Sequence, residues 1–501
     1  MQVLTTSEMG RADQLAIAAG TSGFALMLSA GRAVADAAID LVDSGPIAVV
    51  AGDGNNGGDG FVAAAELLAR GHAVTVMLLG ERDALTGDAA LAARNWSGPI
   101  LPATPAAIGS PGLIIDALFG AGLNRPVKDG ARDLVEAINA SGAPVLSVDL
   151  PSGINGNTGA VMGAAVSATE TVTFFRRKPG HLLLPGRTHC GRVRVVDIGI
   201  DASVLDDIRP QAFENIPALW REAFPVVGVD GHKYARGHAV VVSGGAAATG
   251  AARLAARGAL RGGAGLVTVL SPREALAINA AALTAVMVRP VDTVDEFTAL
   301  LADRRLNACI IGPAAGIGGH TRSMVLAALG GDRGVLLDAD ALTSFADRPD
   351  DLFTAIRPAA ASGTGIVLTP HAGEFFRLFS EMDNKHPFKS KLERVRAAAL
   401  RSGAVVLLKG PDTVVASPDG RAAIAANAPP WLATAGSGDV LSGMIGGLLA
   451  QGVASFEAAC IGVWMHGEAG REAGPGLIAE DLPEVLPAVF RRLYDEFDID
   501  Y

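Results

Sequence analysis

Residues 52–60 read Gly-Asp-Gly-Asn-Asn-Gly-Gly-Asp-Gly, five glycines with two asparagines and two aspartates among them. An apolar run, 47–51, leads in, and an amphipathic helix is expected over 61–70. Glycines let the backbone approach a phosphate closely, and a helix start offers unpaired N–H donors. Two more apolar runs close on aspartates. Asp116 is followed by "FGAGLNRP" (119–126), and Asp149 by "LPSG" (150–153). Asn, Asp and Ser oxygens gathered from three strand ends are hard ligands, suited to an alkali ion or magnesium. Taken singly, Asp59 reads as a helix cap and Asn55 or Asn56 as a left-handed turn residue. Taken together they point to a ligand pocket.

A second constellation lies in "WLATAGSGDVLSGMIGGLLAQG" (431–452). Gly436, Ser437 and Gly438 open a helix with Asp439 in its first turn. Consecutive N–H groups and the helix dipole make an anion hole there. A carboxylate beside a bound phosphoryl group can take a proton from an attacking hydroxyl. The alternative is that Asp439 only complements the dipole, worth about 0.3–1 kcal/mol. "LLKGPDTVV" (407–415) ends a strand with Lys409 and carries Thr413 in a turn, a pattern suited to phosphate contacts. "TPHAGEF" places His371 at another strand end, and "HKYARG" (232–237) supplies basic groups that steer phosphates or are solvated. "DADAL" (338–342) either aids a metal or caps a helix.

Short apolar runs alternating with Ala-rich helical stretches must position these groups. The first half holds runs at 46–52, 73–80, 113–120, 144–153, 171–175 and 192–200, and the second at 237–245, 265–272, 308–316, 334–342, 365–375, 404–421 and 422–429. Such continuously apolar strands belong to parallel sheets buried on both faces, and ligands then sit beyond the strands' carboxyl ends. The expected fold is α/β, with two three-layer αβα domains over 1–210 and 226–498. Pro210, Pro217 and Pro225 interrupt 203–230, read as a linker.

The chain has 501 residues, half of them hydrophobic, and a formal charge of −11. That balance argues against a nucleic-acid or anionic-membrane partner, and "RRK" at 176–178 is too short to reverse it. Cys190, Cys309 and Cys460 show no metal or disulfide spacing and read as reduced thiols of a cytoplasmic protein. Glu8, Arg11 and Asp13 break any apolar core of a leader peptide.

"GDGNNGGDGFVAA", "DALFGAGLNRP" and "VDLPSGINGNTG" resemble the YjeF N-terminal family, the NAD(P)H-hydrate epimerases. The resemblance implies a Rossmann-like domain that interconverts R and S hydrates of NADH and NADPH. It implies a potassium ion on Asn56, Asp116 and Ser152. It implies substrate contacts on Asn55, Asn56, Gly57, Gly58 and Asp59, on Gly120, Ala121, Gly122, Leu123, Asn124, Arg125 and Pro126, and on Asp149, the group chosen for acid–base work. Leu28 and Ser29 stand where a Glu–Asn-like pair is expected.

The second half, through "GAGLVTV", "TPHAGEF", "LLKGPDTV" and "TAGSGD" in that order, resembles the YjeF C-terminal family, the ribokinase-like NAD(P)H-hydrate dehydratases. That implies nucleotide contacts on Lys409, Gly410, Pro411, Asp412, Thr413 and Gly438, and hydrate contacts on Ala264, Gly316, His371 and catalytic Asp439. ADP with Mg2+ is the expected co-substrate, and a homo-oligomer the expected assembly. "GPAAG" (312–316) stands where the family usually has GPGLG. Competing readings are a ribokinase-like small-molecule kinase fused to a nucleotide-binding module, and a nucleotide-binding protein without turnover.

Overall fold

A computed structural model of the protein describes residues 2–42, 44–228, 231–385 and 390–500. The chain divides into two compact units, Gln2–Ala212 and Phe213–Tyr501. Among the described residues, no helix is long and apolar enough to cross a membrane.

The first unit is built on β1 (Ile47–Ala51), β2 (Val74–Leu78), β3 (Ile100–Pro102), β4 (Leu113–Ala117), β5 (Val145–Val148), β6 (Glu170–Phe174) and β7 (Arg192–Val196). Their order in the sheet is β3-β2-β1-β4-β5-β6-β7, and every pair is parallel. The order reverses between β1 and β4, so a crevice opens at their carboxyl ends.

The glycine-rich stretch after β1 differs from the expected open turn. The helix begins at Asn55 and runs to Ala69, so Asn55 to Gly60 already lie in its first two turns. Glycine is a poor helix former, but close packing overrides propensity here. A Cβ on Gly57 would stand 2.0 Å from the Gly52 carbonyl oxygen, and one on Gly58 2.6 Å from Met27 Cε. The helix is thereby seated tightly over β1 and under the neighbouring helix Gly23–Leu41.

The second unit holds β8 (Ala212–Glu214), β9 (His238–Val242), β10 (Leu266–Ser271), β11 (Met287–Pro290), β12 (Ala308–Ile311), β13 (Gly334–Leu337), β14 (Ile366–Leu368), β15 (Val405–Leu408), β16 (Val414–Ala416) and β17 (Ala422–Ile424). They are ordered β8-β17-β16-β15-β14-β13-β12-β9-β10-β11. From β15 to β11 the pairs are parallel; β16 and β17 turn back antiparallel. Helices Gly250–Arg261 and Ser437–Ala450 cover the sheet centre and meet through glycines. A Cβ on Gly443 would lie 2.0 Å from the Ala255 carbonyl oxygen.

The stretch read as a linker is structured over much of its length. Trp220 is 1% exposed, packs against Phe224, Trp464 and Phe497, and donates its indole N–H to Asn215 Oδ1 at 3.1 Å. Pro217 opens the short helix Pro217–Trp220, while Pro210 and Pro225 lie in irregular chain outside the short elements. Trp220→Ala should lower the stability of the second unit by about 3–5 kcal/mol in denaturant unfolding; a change below about 1 kcal/mol would restore the linker reading.

Candidate functional sites

At the first sheet's carboxyl edge, the chain leaves β5 through Asp149, whose φ is +62°. A non-glycine residue in this region carries strain and needs fixing by its surroundings. His181 does this. Its Nδ1 accepts from the Lys178 backbone N–H at 2.9 Å, so its Nε2–H donates to the Asp149 carbonyl at 2.8 Å. Burial, with Lys178 nearby, pulls the His181 pKa down to about 4 and keeps the ring neutral.

The Asp149 side chain is clamped as well. Lys178 Nζ lies 2.6 Å from its Oδ1, Thr173 Oγ1 donates to the same oxygen at 3.0 Å, and the Ala121 N–H donates to Oδ2 at 3.1 Å. Lys178 is 1% exposed, so it needs this partner. Burial alone would push the Asp149 carboxyl up; the lysine outweighs it and holds the pKa at about 2.

Above this pair opens a cavity of about 660 Å³. It is lined by the predicted residues Asn55, Asn56, Asp59, Gly120, Ala121, Gly122, Leu123, Asn124, Arg125 and Asp149, and also by Asp13, Lys178 and Phe174. Gly57 and Gly58 are buried in helix packing, and Pro126 lies beyond the lining. Burial, reinforced by Asp149, raises the Asp59 pKa well above the usual range. Burial, opposed by Lys178, raises that of Asp13 to about 6. Sequence reasoning missed Asp13, Lys178, Thr173 and His181.

Asp116 is fully buried beneath the floor. It accepts from Ser147 Oγ at 2.8 Å, Ser152 N at 2.9 Å, Ser152 Oγ at 2.5 Å and Leu118 N at 3.4 Å. Burial pushes its pKa up against these donors. Among the described residues, no basic side chain pairs with it. Asn56 lies against the loop after β4, where a Cβ on Gly120 would stand 2.9 Å from its Oδ1, and its Nδ2 is buried without a hydrogen-bond partner. An uncompensated carboxylate among amide and hydroxyl oxygens fits a monovalent cation.

In the second unit Lys409 follows β15, and Asp338 follows β13, at the same sheet edge. Lys409 Nζ is 2.7 Å from Asp338 Oδ1, while Ser442 Oγ donates to Oδ2 at 2.7 Å. Burial draws the Lys409 pKa down, but Asp338 reverses this and raises it. The ammonium also reaches the Gly-Ser-Gly-Asp turn, since a Cβ on Gly438 would lie 3.6 Å from it. Gly436, at φ +84°, caps the helix Ser437–Ala450, with Asp439 in its first turn as expected. Burial and the neighbouring Asp338, against Lys409, raise the Asp439 pKa to about 6.

Gly316 joins this edge by donating its N–H to Asp340 Oδ2 at 2.9 Å. Ala314 two residues earlier has φ +54°, a backbone that glycine takes freely and that costs alanine about 1 kcal/mol. Thr413 Oγ1 donates to the Gly410 carbonyl at 2.7 Å and closes the 410–413 turn, and Asp412 is paired with Lys391 at 2.7 Å. Pro411 is exposed at the tip of that turn. His371 is exposed, its Nδ1 accepting from Gly373 N at 2.9 Å. Ala264 is not brought to this group. It is 1% exposed in the apolar core before β10, at the opposite sheet edge. Its neighbour Gly263 meets Gln451, twelve helical residues and about 18 Å from Asp439.

Fold and sites define a two-unit α/β protein with a lysine–aspartate pair in each unit, its lysine buried in the first and partly buried in the second, and a carboxyl of raised pKa beside each. Residues 23–180 match the family model described as YjeF-related protein N-terminus, and 239–485 the one described as NAD(P)H-hydrate dehydratase. The Bifunctional NAD(P)H-hydrate repair enzyme Nnr of Salinibacter ruber is 36% identical, over 99% of this chain and 97% of its own. That of Moorella thermoacetica is 34% identical, over 99% and 98%. The solved structure of the ADP/ATP-dependent NAD(P)H-hydrate dehydratase from Bacillus subtilis, co-crystallized with ATP/Mg2+, is 26% identical with a TM-score of 0.46, covering 56% of this chain and 98% of that one. The chain belongs to the family of bifunctional NAD(P)H-hydrate repair enzymes. The resemblance drawn from the motifs is borne out, and with it the reading as an enzyme.

The raised Asp439 pKa has a stability consequence. A carboxyl at about 4 unfolded and about 6 folded favours the folded state in acid, and this advantage is lost as pH rises through that window. Asp439→Asn removes the charge; at pH 7.5 the second unit should gain about 1–2 kcal/mol, partial exposure allowed for, and at pH 4 nothing. Thermal unfolding at the two pH values checks this; equal effects at both would show that Asp439 titrates normally.

Proposed function

We propose that the first unit interconverts the R and S hydrates of NADH and NADPH, and that the second dehydrates the S form at the expense of ADP, giving AMP and phosphate. The observation that carries this is the union, in one family-matched chain, of a carboxylate-walled cavity with a Gly-Ser-Gly-Asp helix start beside a partly buried lysine. Asp149, ionised and aimed by Lys178 and Thr173, accepts the hydrogen bond of the hydroxyl at the hydrated carbon and draws off its proton. Asn55, Asp59 and the 120–126 loop hold the substrate. Asn56, Asp116 and Ser152 hold a potassium ion, which supplies fixed positive charge at the cavity floor. The uncompensated Asp116 supports this choice.

In the second unit the hydroxyl of the hydrate is a poor leaving group. Asp439 takes its proton, the terminal phosphoryl group of ADP moves to its oxygen, and AMP departs. Loss of phosphate, assisted by the ring nitrogen, and of a proton from the adjacent ring carbon to solvent then restores the reduced nicotinamide. A carboxyl with a pKa near 6 is suited to that proton transfer. Lys409, Gly438 and the 410–413 turn face the diphosphate, with Gly316 and His371 toward the hydrate. Mg2+ enters with the nucleotide phosphates, as it does where substrate phosphates supply part of its shell. A cytoplasmic homo-oligomer completes the proposal; three buried, unpaired cysteines fit a reducing compartment.

The test is mixed hydrate epimers with ADP or ATP, with and without potassium, followed by the absorbance of reduced nicotinamide. Both epimers should be recovered with ADP, and exchange should slow without potassium. Asp439→Asn should slow dehydration by about 100-fold or more while epimer exchange continues. Recovery of neither epimer, or a stable phosphorylated product, would overturn the proposal.

A further inference from the structure

We infer that Asp13, on the helix Thr6–Ala18, is a second proton-transfer group of the first unit's cavity and works opposite Asp149 on the bound hydrate. This rests on the epimerase reading above. The helix is fixed by a capping box, in which Thr5 Oγ1 accepts from Glu8 N at 3.2 Å and Glu8 accepts from Thr5 N at 2.7 Å. Its buried stripe is Met9, Ala12 and Ala16. Asp13 sits beside that stripe and lines the cavity. It has neither a hydrogen bond nor an ion pair among the described residues. A half-buried carboxylate without a partner costs stability, so packing gives it no role.

Asp59 reinforces the point. It is 9% exposed, lines the same cavity and likewise has no partner among the described residues. The one lysine within reach is committed, since Lys178 Nζ is bound to Asp149 at 2.6 Å and to Thr173 Oγ1 at 3.0 Å. Asp53 and Asp88 add further negative charge to the lining, and Arg125 adds a positive one. Two unpartnered carboxyls thus face the space that a substrate must fill.

Their roles separate by proton affinity. Asp149, at about 2, stays ionised and is a poor acid. Burial, reinforced by Asp149, pushes the Asp59 carboxyl well above the usual range. Asp13, at about 6, gives and takes a proton near neutrality, where general acid–base transfer is most effective.

Epimerisation of a ring carbon bonded to both a hydroxyl and the ring nitrogen is served by an ionised carboxylate at the hydroxyl and an acid at the nitrogen. The hydroxyl proton passes transiently to Asp149, and the O–H electron pair forms a carbonyl. The carbon–nitrogen bond breaks, its pair goes to the ring nitrogen, and that nitrogen takes the Asp13 proton. Rotation about the adjacent carbon–carbon bond presents the other carbonyl face. The nitrogen attacks it and returns its proton to Asp13, while Asp149 returns the other to oxygen. No atom or electron is gained or lost.

The experiment uses the full chain and one purified hydrate epimer without adenine nucleotide, so that dehydration is silent, and follows epimer ratio by chromatography from pH 5 to 8. Wild-type exchange should fall as pH rises above about 6. Asp13→Asn should be about 100-fold slower at pH 6 and lose that fall, with ADP-dependent dehydration of the S hydrate unchanged. Asp13→Glu, which keeps the acid, should be slower but retain the fall. Exchange in Asp13→Asn within threefold of wild type would overturn the proposal. Should Asp13→Asn not fold, a pH-flat Asp13→Glu would overturn it. A wild-type chain without exchange at any pH overturns the epimerase reading, and this proposal with it.

Discussion

A lysine ammonium, fully buried in the first unit and partly in the second, set against an aspartate at a parallel-sheet edge is the contact on which each site depends. In the first unit it is Lys178 on Asp149, in the second Lys409 on Asp338. Each pair is affordable in the interior only because further donors complete it: Thr173 and Ala121 in one, Ser442 and the Ala339 N–H in the other. Each also leaves more carboxylates nearby than one lysine can neutralise. Burial and the neighbouring carboxylates push these surplus carboxyls above their ordinary range, Asp13 and Asp59 in the first unit and Asp439 in the second. In the first unit the cation thus separates the carboxyls into an ionised member, Asp149, and a proton-holding one, Asp13, a division of labour that acid–base chemistry requires.

The sheets make these gatherings possible. Parallel strands deliver successive loops to one edge, so residues far apart in sequence meet. Asp116 and Ser152 meet this way, and so do Asp338 and Lys409. Close backbone approaches then hold the helix starts in place. Gly57 and Gly58 in one unit and Gly443 in the other occupy positions where a Cβ would collide.

Much of this was legible in the sequence. Apolar runs ending in Asp116, Asp149 and Lys409 marked strands and the edge that carries the chemistry, and Gly436 to Asp439 marked a helix start. The short strands Ile100–Pro102 and Met287–Pro290 were not legible, because three or four residues carry no period. The helix at Asn55 was hidden because its glycines argue for a turn unless the packing around them is known. Asp13 and Lys178 were in plain view but were weighed only as charges, one interrupting an apolar leader, the other in a short basic run. Lys178 meets its partner Asp149 across 29 residues of chain, and Asp13 lies 136 residues from Asp149; only the fold brings the three to one cavity. Ala264 shows the reverse: a motif position that the fold carries to the far end of a helix.

The most direct measurement is a carboxyl-carbon NMR titration of the aspartate-labelled chain between pH 3 and 8. One carboxyl in each unit should titrate near 6, the first disappearing in Asp13→Asn and the second in Asp439→Asn, while Asp149 stays ionised throughout. Every aspartate titrating below about 4.5 would contradict the account, because neither lysine would then be overdrawn by its neighbours.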